Sequence, residues 1–168
     1  EDVLGETPRL LASGLHDKVF FEHMWATILA GQVFRGELIN KKKNGEVFYE
    51  AKTITPILDA AGRITHFVAT GSDITERKRA EAREDAHFAV TRILAEAPGL
   101  RQAVPAILEA ICMGAEWDFG ELWLVDAEGR CLTWYDSWHL PDHDAAGFEA
   151  ASRDLRFARG EGLPGRVW

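Results

Sequence analysis

The chain has 168 residues, 46% hydrophobic and 27% charged, which is the balance of an ordinary globular protein. Its net charge of −8 argues against a nucleic-acid-binding surface, because no broad basic face is available to neutralise phosphates. No apolar run is long enough to span a bilayer and no signal peptide is evident, so a cytoplasmic location is expected.

The first element in the pattern is a helix over residues 15–30, with His16 and Asp17 at its start. Asp is a residue type that caps helices, and Gly31 supplies a stop signal. The apolar face of this helix is formed by Val19, Phe20, Trp25, Ile28 and Leu29.

Three strand-like runs follow this helix. The first two, over residues 33–42 and 46–58, are joined by Asn44 and Gly45. Asn-Gly favours a type I′ hairpin turn, because both central residues of that turn need a positive φ. A second turn leads to a third run over residues 63–72, so the sequence predicts a three-stranded antiparallel meander.

The third strand leads directly into a charged helix. Asp73, Ile74 and Thr75 form the junction, where Thr75 can cap free N–H groups and Glu76 suits the positive end of the helix dipole. A connector helix over residues 76–98 is expected to pass a mechanical change onward. Its apolar stripe consists of Ala86, Ala89, Val90, Ile93, Leu94 and Ala97.

The rest of the chain predicts a second mixed segment. A helix starts at Leu100, with Pro105 in its first turn or at a kink. Cys112 on this helix and Cys131 in a later strand lack metal-type spacing and are expected to be small core residues in a reducing compartment. Further elements are strands over 120–125 and 131–138, a weak helix near 148–152, a short strand over 155–158 and a Gly-rich loop opening a helix.

The amino-terminal segment resembles the carboxyl half of a PAS sensory domain of the S-box type. The resemblance rests on WATILAG (25–31), RGELIN (35–40), KNG (43–45), ITPI (54–57), GRITHF (62–67) and DIT (73–75). The family has five strands, so its first two would precede Glu1. The start without Met and the end at Trp168 likewise lead us to expect a fragment of a longer protein.

The carboxyl-terminal segment resembles the beginning of a GAF domain. That resemblance rests on LEAIC (108–112), WDFGELW (117–123) and GEGLPGRVW (160–168). The expected fold class is α+β, with incomplete antiparallel-sheet domains of PAS type over 1–75 and GAF type over 99–168 and a helical linker over 76–98. PAS followed by GAF is typical of bacterial multi-sensor histidine kinases and some diguanylate cyclases.

The PAS resemblance raises the question of a flavin. Light-oxygen-voltage members form a flavin adduct through a cysteine, and Pro8 stands at that position, so this adduct is excluded. Of the polar residues that hold the flavin ring in those members, Asn40 is kept while Glu50 and Gly71 replace the other two. A non-covalent flavin contacted by Asn40 and Glu50 remains open, as in the flavin-bearing regulators of nitrogen fixation that the segment also resembles. The alternative is that both residues make ordinary structural contacts.

Haem is the second cofactor hypothesis. His16 aligns with the proximal histidine of oxygen-sensing haem PAS proteins, although a histidine at this helix start is also common without haem. His139 and His143 lie in a loop-like stretch and are not expected to bind a metal. The Gly160-x-Gly162-x-x-Gly165 spelling lacks the strand of a dinucleotide site.

These resemblances imply a sensory and relay section of a signalling protein, with the catalytic part outside this chain. Asp73, Ile74 and Thr75 would latch the sheet to the helix, and residues 76–98 would form a parallel homodimer that drives a downstream kinase or cyclase. The alternatives are a cofactor-free dimerisation scaffold and the input module of a diguanylate cyclase. No catalytic constellation, nucleic-acid partner or metal ligand set is expected within the chain.

Overall fold

The computed structural model describes residues 7–168, so the first six residues of the PAS-type segment predicted over 1–75 lie outside it. The chain divides into two compact units, the first ending at Lys78 and the second beginning at Arg79. Each unit combines helices with one three-stranded antiparallel sheet. The expected mixture of helices and antiparallel sheets is therefore confirmed. None of the helices within residues 7–168 has both the length and the apolar character needed to cross a membrane.

The first unit is a helix followed by a meander of three strands. A 3-10 turn at Pro8–Leu11 precedes the helix, whose N-cap Asp17 accepts a hydrogen bond from Phe20 N–H at 2.8 Å. Each strand pairs with the next one along the chain. The elements are α1 (Lys18–Leu29), β1 (Phe34–Lys41), β2 (Val47–Leu58) and β3 (Ile64–Asp73).

The core of this unit lies between α1 and the sheet. Met24 and Ile28 of α1 and Phe34 of β1 are buried, and Phe20, Phe21, Leu38 and Ile54 pack against them. The apolar face predicted for α1 was wrong at three positions, because the helix turns a different stripe towards the sheet. The exposed residues are Val19, Trp25 and Leu29.

The first hairpin turn is not of type I′. Gly45 has a φ of +90° and donates its N–H to Lys42 C=O at 3.0 Å, but Asn44 does not have a positive φ. Lys42 N–H bonds to Glu46 C=O at 2.8 Å, which is the pattern of a type I turn followed by a left-handed glycine. Only one residue in this turn needs a positive φ, and Gly45 supplies it.

Within the described residues, the second unit contains the greater part of a long helix, three further helices and a three-stranded antiparallel sheet whose strands pair in chain order. The short last strand pairs with the strand before it through Leu132 and Thr133. The elements are α2 (Thr75–Glu96), α3 (Leu100–Ala115), β4 (Phe119–Val125), β5 (Leu132–His139), α4 (Ala146–Asp154), β6 (Arg156–Phe157) and α5 (Gly162–Val167).

The core of the second unit includes the contact of α3 with β4. A Cβ at Gly120 would lie 2.5 Å from Cys112 Sγ, so the thiol fills the space above this glycine. Cys112 is buried as expected, whereas Cys131 precedes β5 and is only half-buried. Pro105 lies in the second turn of α3, not the first. It leaves the carbonyl of Arg101 without the usual helical donor.

The long helix α2 approaches α3 closely at one point. A Cβ at Gly114 of α3 would lie 2.5 Å from Ala86 Cβ and 2.9 Å from the carbonyl oxygen of Ala82. Ala86, from the predicted dimer stripe, thus contacts a helix of the same chain. Phe88 and Leu94 on α2 remain 72% and 56% exposed.

Candidate functional site

The strand register brings the predicted ligand residues onto one face of the first sheet. This inner face is the one that α1 covers, because Phe34 lies in the core with α1. Asn40 follows Phe34 on β1 at even spacing, and Glu50 on β2 lies directly opposite Leu38. Gly71 on β3 lies opposite Lys52, which puts both on the same inner face.

Three polar side chains on the inner face bond to one another. Asn40 Nδ2 donates to Glu50 Oε2 at 2.9 Å, and Lys52 Nζ donates to Glu50 Oε1 at 3.0 Å. Asn40 is only 6% exposed, while the Glu50 and Lys52 side chains are 15% and 24% exposed. This inner-face cluster of Asn40, Glu50 and Lys52 therefore satisfies its own polar groups within a largely apolar surface.

Gly71 makes room for the carboxylate of this cluster. A Cβ at Gly71 would lie 1.7 Å from Glu50 Oε1, 2.6 Å from Cδ and 3.0 Å from Cγ. Any side chain at this position would displace the carboxylate, because real Cβ atoms do not approach others so closely. The carboxylate from β2 thus occupies the space that a side chain on β3 would need.

His16 has different partners. Its Nε2 accepts a hydrogen bond from Ile39 N–H at 2.7 Å, and its ring stacks on Phe20 with centroids 3.9 Å apart. Ser13 Oγ donates to the carbonyl of the same Ile39. The two side chains therefore satisfy the backbone at the outer edge of β1, and the lone pair of His16 Nε2 is already engaged.

The junction between β3 and α2 is fixed to β2 by backbone bonds. Ile74 N–H donates to Tyr49 C=O at 2.9 Å, and Tyr49 N–H donates to Thr75 Oγ at 3.0 Å. Asp73 Oδ1 accepts from Thr75 N–H at 2.9 Å and from the Thr75 hydroxyl. Thr75 is the first residue of α2 and is 7% exposed. We call these contacts among Tyr49, Asp73, Ile74 and Thr75 the junction latch.

The inner-face cluster and the junction latch share neighbouring residues. Tyr49, which holds the start of α2, immediately precedes Glu50 in β2. Glu50 also lies directly opposite Asp73 in the pairing of β2 with β3. Glu50 is therefore next to Tyr49 along β2 and next to Asp73 across the sheet, and both of these residues belong to the latch.

A second contact ties α2 to the sheet. Glu37 on β1 bonds to Arg77 Nη2 at 2.9 Å and to Lys78 Nζ at 2.7 Å, both in the first turn of α2. Hydrogen bonds from Lys78 and then Arg77 lower the pKa of Glu37 from its ordinary value.

Sequence reasoning missed Lys52 and Glu37. Lys52 had a signal, since strict alternation along β2 places it on the same face as Glu50. Glu37 had none, because its partner Arg77 lies 40 residues away along the chain.

The second unit has a polar feature on the sheet face that carries Glu121 and Trp123. Glu121 Oε2 accepts from Trp123 Nε1 at 3.3 Å, and Trp134 lies directly opposite Trp123 in the register. Glu121 Oε1 and Trp134 Nε1 are buried without a hydrogen-bond partner within residues 7–168. Across those residues, no group of three or more His, Cys, Asp or Glu side chains is placed to hold a metal ion.

Comparison with protein families identifies the first segment. The sequence model of the PAS domain family matches residues 1–76, which confirms the PAS resemblance of this part of the chain. The same comparison leaves the GAF resemblance of the second segment and the role of the DIT motif as predictions.

Several proteins of named function are similar to the chain over part of their length. A nitrogen fixation regulatory protein of Klebsiella oxytoca is 35% identical over 86 residues, which are 51% of this chain and 17% of that protein. A blue-light-activated histidine kinase of Rhizobium johnstonii is 29% identical over 111 residues, 66% of this chain and 31% of that protein. The chain thus spans less than a third of either relative.

Solved structures with similarity to the chain include an RNA-binding light-oxygen-voltage receptor. It superimposes with a TM-score of 0.42 and 28% sequence identity, over 45% of this chain and 22% of that one.

Proposed function

We propose that this chain is the sensory and signal-relay section of a cytoplasmic bacterial signal-transduction protein, a PAS–GAF sensor histidine kinase of a two-component system. The PAS match over residues 1–76 and the similarity to proteins named as a histidine kinase and a nitrogen fixation regulator support this proposal. The observation that carries it is the adjacency of Glu50 in the inner-face cluster to Tyr49 in the junction latch.

The relay begins on the inner face. The carboxylate of Glu50 accepts hydrogen bonds from Asn40 and Lys52. A ligand on the inner face would compete with these two donors for the carboxylate. Movement of Glu50 would shift Tyr49, and both backbone groups of Tyr49 hold the start of α2. The DIT residues would act as the mechanical link from sheet to helix because their bonds cross from β2 to α2.

The ligand we propose is a non-covalently bound flavin. Asn40 offers a buried N–H donor and Glu50 an acceptor beside it, which suits a ring edge carrying a carbonyl next to an N–H. A bound flavin would supply sensitivity to redox state or light, and Pro8 leaves it without a thiol for adduct formation. Haem on His16 fits less well, since the Nε2 lone pair already accepts from Ile39.

The output side of the proposal concerns α2 and the second unit. Residues 76–98 would pair with the same helix of a second copy and pass a rotation or register change to residues 99–168, a GAF-type domain, and then to a downstream kinase. The exposed Leu94, a member of the predicted apolar stripe, favours such pairing. The input module of a diguanylate cyclase and a cofactor-free scaffold are the competing assignments for the same chain.

The first test is the absorption spectrum of the gently purified parent protein, followed by titration of this chain with FAD. We expect the parent protein to show a flavin band at about 450 nm. In the titration, Asn40→Ala and Glu50→Ala should each lower the affinity for FAD. A haem band would favour His16 instead. A colourless protein that takes up no FAD would contradict the flavin assignment and favour the scaffold, or a ligand at Glu121 and Trp134 in the second unit.

The second test addresses the relay. Asp73→Ala in the parent protein removes the acceptor of the Thr75 N–H and hydroxyl, and it should uncouple the output from the signal with little loss of folding. Normal signal dependence in this variant would show that the latch does not carry the signal.

A further inference from the structure

We propose that Glu37 is a positioning residue: it forms an ionic clamp on the first turn of α2, and this clamp makes the coupling of sheet to helix dependent on salt. One carboxylate meets two cations, Arg77 at 2.9 Å and Lys78 at 2.7 Å. The inference rests on the proposed relay function, and it adds to the DIT latch a contact on a different strand.

The clamp gives α2 a second attachment point. The latch alone joins α2 to a single residue, because both backbone bonds go to Tyr49 on β2. Tyr49 pairs with Ile39 on β1. Glu37 precedes Ile39 by two residues and therefore lies on the same face of the sheet. A helix held at one residue can pivot there, whereas a second contact on the neighbouring strand opposes rotation about the first.

The two attachments differ in their physical character. The two latch bonds to Tyr49 involve neutral groups, the backbone and the hydroxyl of the 7%-exposed Thr75, so dissolved ions hardly screen them. The clamp lies at the surface: the side chains of Glu37, Arg77 and Lys78 are 43%, 52% and 32% exposed. Exposed ion pairs weaken as ionic strength rises. The orientation of the first turn should therefore respond to salt while its anchoring does not.

Both ion pairs of the clamp share the carboxylate of Glu37, so the whole clamp depends on this one residue. Removing either Arg77 or Lys78 leaves the other in place, but removing the Glu37 carboxylate removes both ion pairs at once. Reversing its charge places three cationic groups together and should push the first turn of α2 away from β1.

Amide hydrogen exchange on this chain provides the test. The Lys78 N–H donates to Ile74 C=O at 3.0 Å in the first turn of α2, and its exchange rate reports opening of that turn. Rates are compared at about 0.05 M and 0.5 M NaCl, where the Debye length falls severalfold. The variants are Glu37→Gln and Glu37→Lys, with Glu22→Gln as the control because Glu22 forms an exposed pair with Lys18 within α1.

A negative, neutral or positive side chain at residue 37 should each give a different effect of salt on the exchange rate of the Lys78 amide. In the wild type and in Glu22→Gln, salt should speed Lys78 exchange, by about two- to fivefold for surface pairs of this kind. Glu37→Gln should exchange as fast at low salt as the wild type does at high salt and should respond little to salt. Glu37→Lys should exchange fastest at low salt and slow down on addition of salt, because screening relieves repulsion.

Equal salt dependence in wild type, Glu37→Gln and Glu37→Lys would overturn the clamp, as would Lys78 exchange in Glu37→Gln that matches the wild type at low salt. A merely structural role for Glu37 would not reverse the sign of the salt effect. The measurement needs no signal or output domain. Failure of the proposed relay would instead appear as normal signal dependence in Asp73→Ala.

Discussion

Gly71→Ala is the substitution that most directly tests the inner-face cluster. Its Cβ would stand 1.7 Å from Glu50 Oε1 and 2.6 Å from Cδ, whereas ordinary contact distances begin near 3.4 Å. The carboxylate must leave, and with it go the bonds to Asn40 at 2.9 Å and to Lys52 at 3.0 Å. The three heavy atoms nearest to the added methyl all belong to Glu50, so the change acts first on this side chain.

The expected loss of stability comes mainly from Asn40. Asn40 is 6% exposed, and leaving a buried donor without its partner costs about 1–3 kcal/mol. Replacing glycine by alanine within a strand returns about 0.5–1 kcal/mol, because the unfolded chain loses freedom. We therefore expect a net loss of about 1–2 kcal/mol in the free energy of unfolding of the first unit.

Two readouts check this estimate. Denaturant unfolding followed through NMR signals of the first unit gives the free energy, and the side-chain amide resonances of Asn40 report loss of its bond to Glu50. Gly147→Ala is the control, since nothing lies within 4 Å of its Cβ and it should leave both readouts unchanged. In Glu50→Ala the further change Gly71→Ala should cost nothing, which gives a coupling of about 1 kcal/mol or more. A Gly71→Ala variant of wild-type stability with unshifted Asn40 resonances would refute the reasoning.

Three further outcomes are expected. Gly114→Ala should lower the stability of the second unit by about 1–3 kcal/mol through overpacking, because the new Cβ would meet a side-chain carbon of α2 at 2.5 Å and a carbonyl oxygen at 2.9 Å; a thermal melt with unchanged Tm would contradict this. The Cys131 thiol donates to Asp126 Oδ2 at 3.3 Å, and this hydrogen bond and burial raise the pKa of the thiol. Asp126→Asn should therefore speed the alkylation of Cys131 by iodoacetamide at about pH 8. The buried Cys112 is the internal control. Hydrogen bonds from the backbone and guanidinium of Arg63 lower the pKa of Asp59, so this turn should be stabilised above the ordinary aspartate pKa and lose that stabilisation as pH falls through the lowered value; Asp59→Asn should abolish the pH dependence of Arg63 amide exchange relative to other amides.

Much of the first unit could be predicted from local patterns. Alternation along β2 places Glu50 and Lys52 on one face, and Asp17 identifies the start of α1, because strand faces and helix caps depend on neighbouring residues. The hairpin at Asn44 and Gly45 was located correctly, but its type was wrong. The dipeptide allows two positive φ angles, and the pairing of Lys42 with Glu46 selects a turn that uses only one.

Contacts between distant parts of the chain could not be obtained in this way. Glu37 is one charged residue among many in the sequence, and only the path of the chain through two hairpins brings it to Arg77 and Lys78. The exposed side of α1 illustrates the same limit. Trp25 and Leu29 are apolar and fall at helical spacing, yet which stripe faces the sheet depends on how α1 crosses it.

Gly71 shows why a residue-by-residue comparison can misjudge a site. Taken alone, glycine at this position looks like the loss of a side chain that could contact a ligand. The inner face nevertheless keeps a polar group there, because Glu50 on the neighbouring strand extends its carboxylate into the space that Gly71 leaves open. The position of the Glu50 carboxylate therefore requires glycine at residue 71. The polar group at this point is a carboxylate held by Asn40 and Lys52, and a ligand that binds here must supply a donor to it.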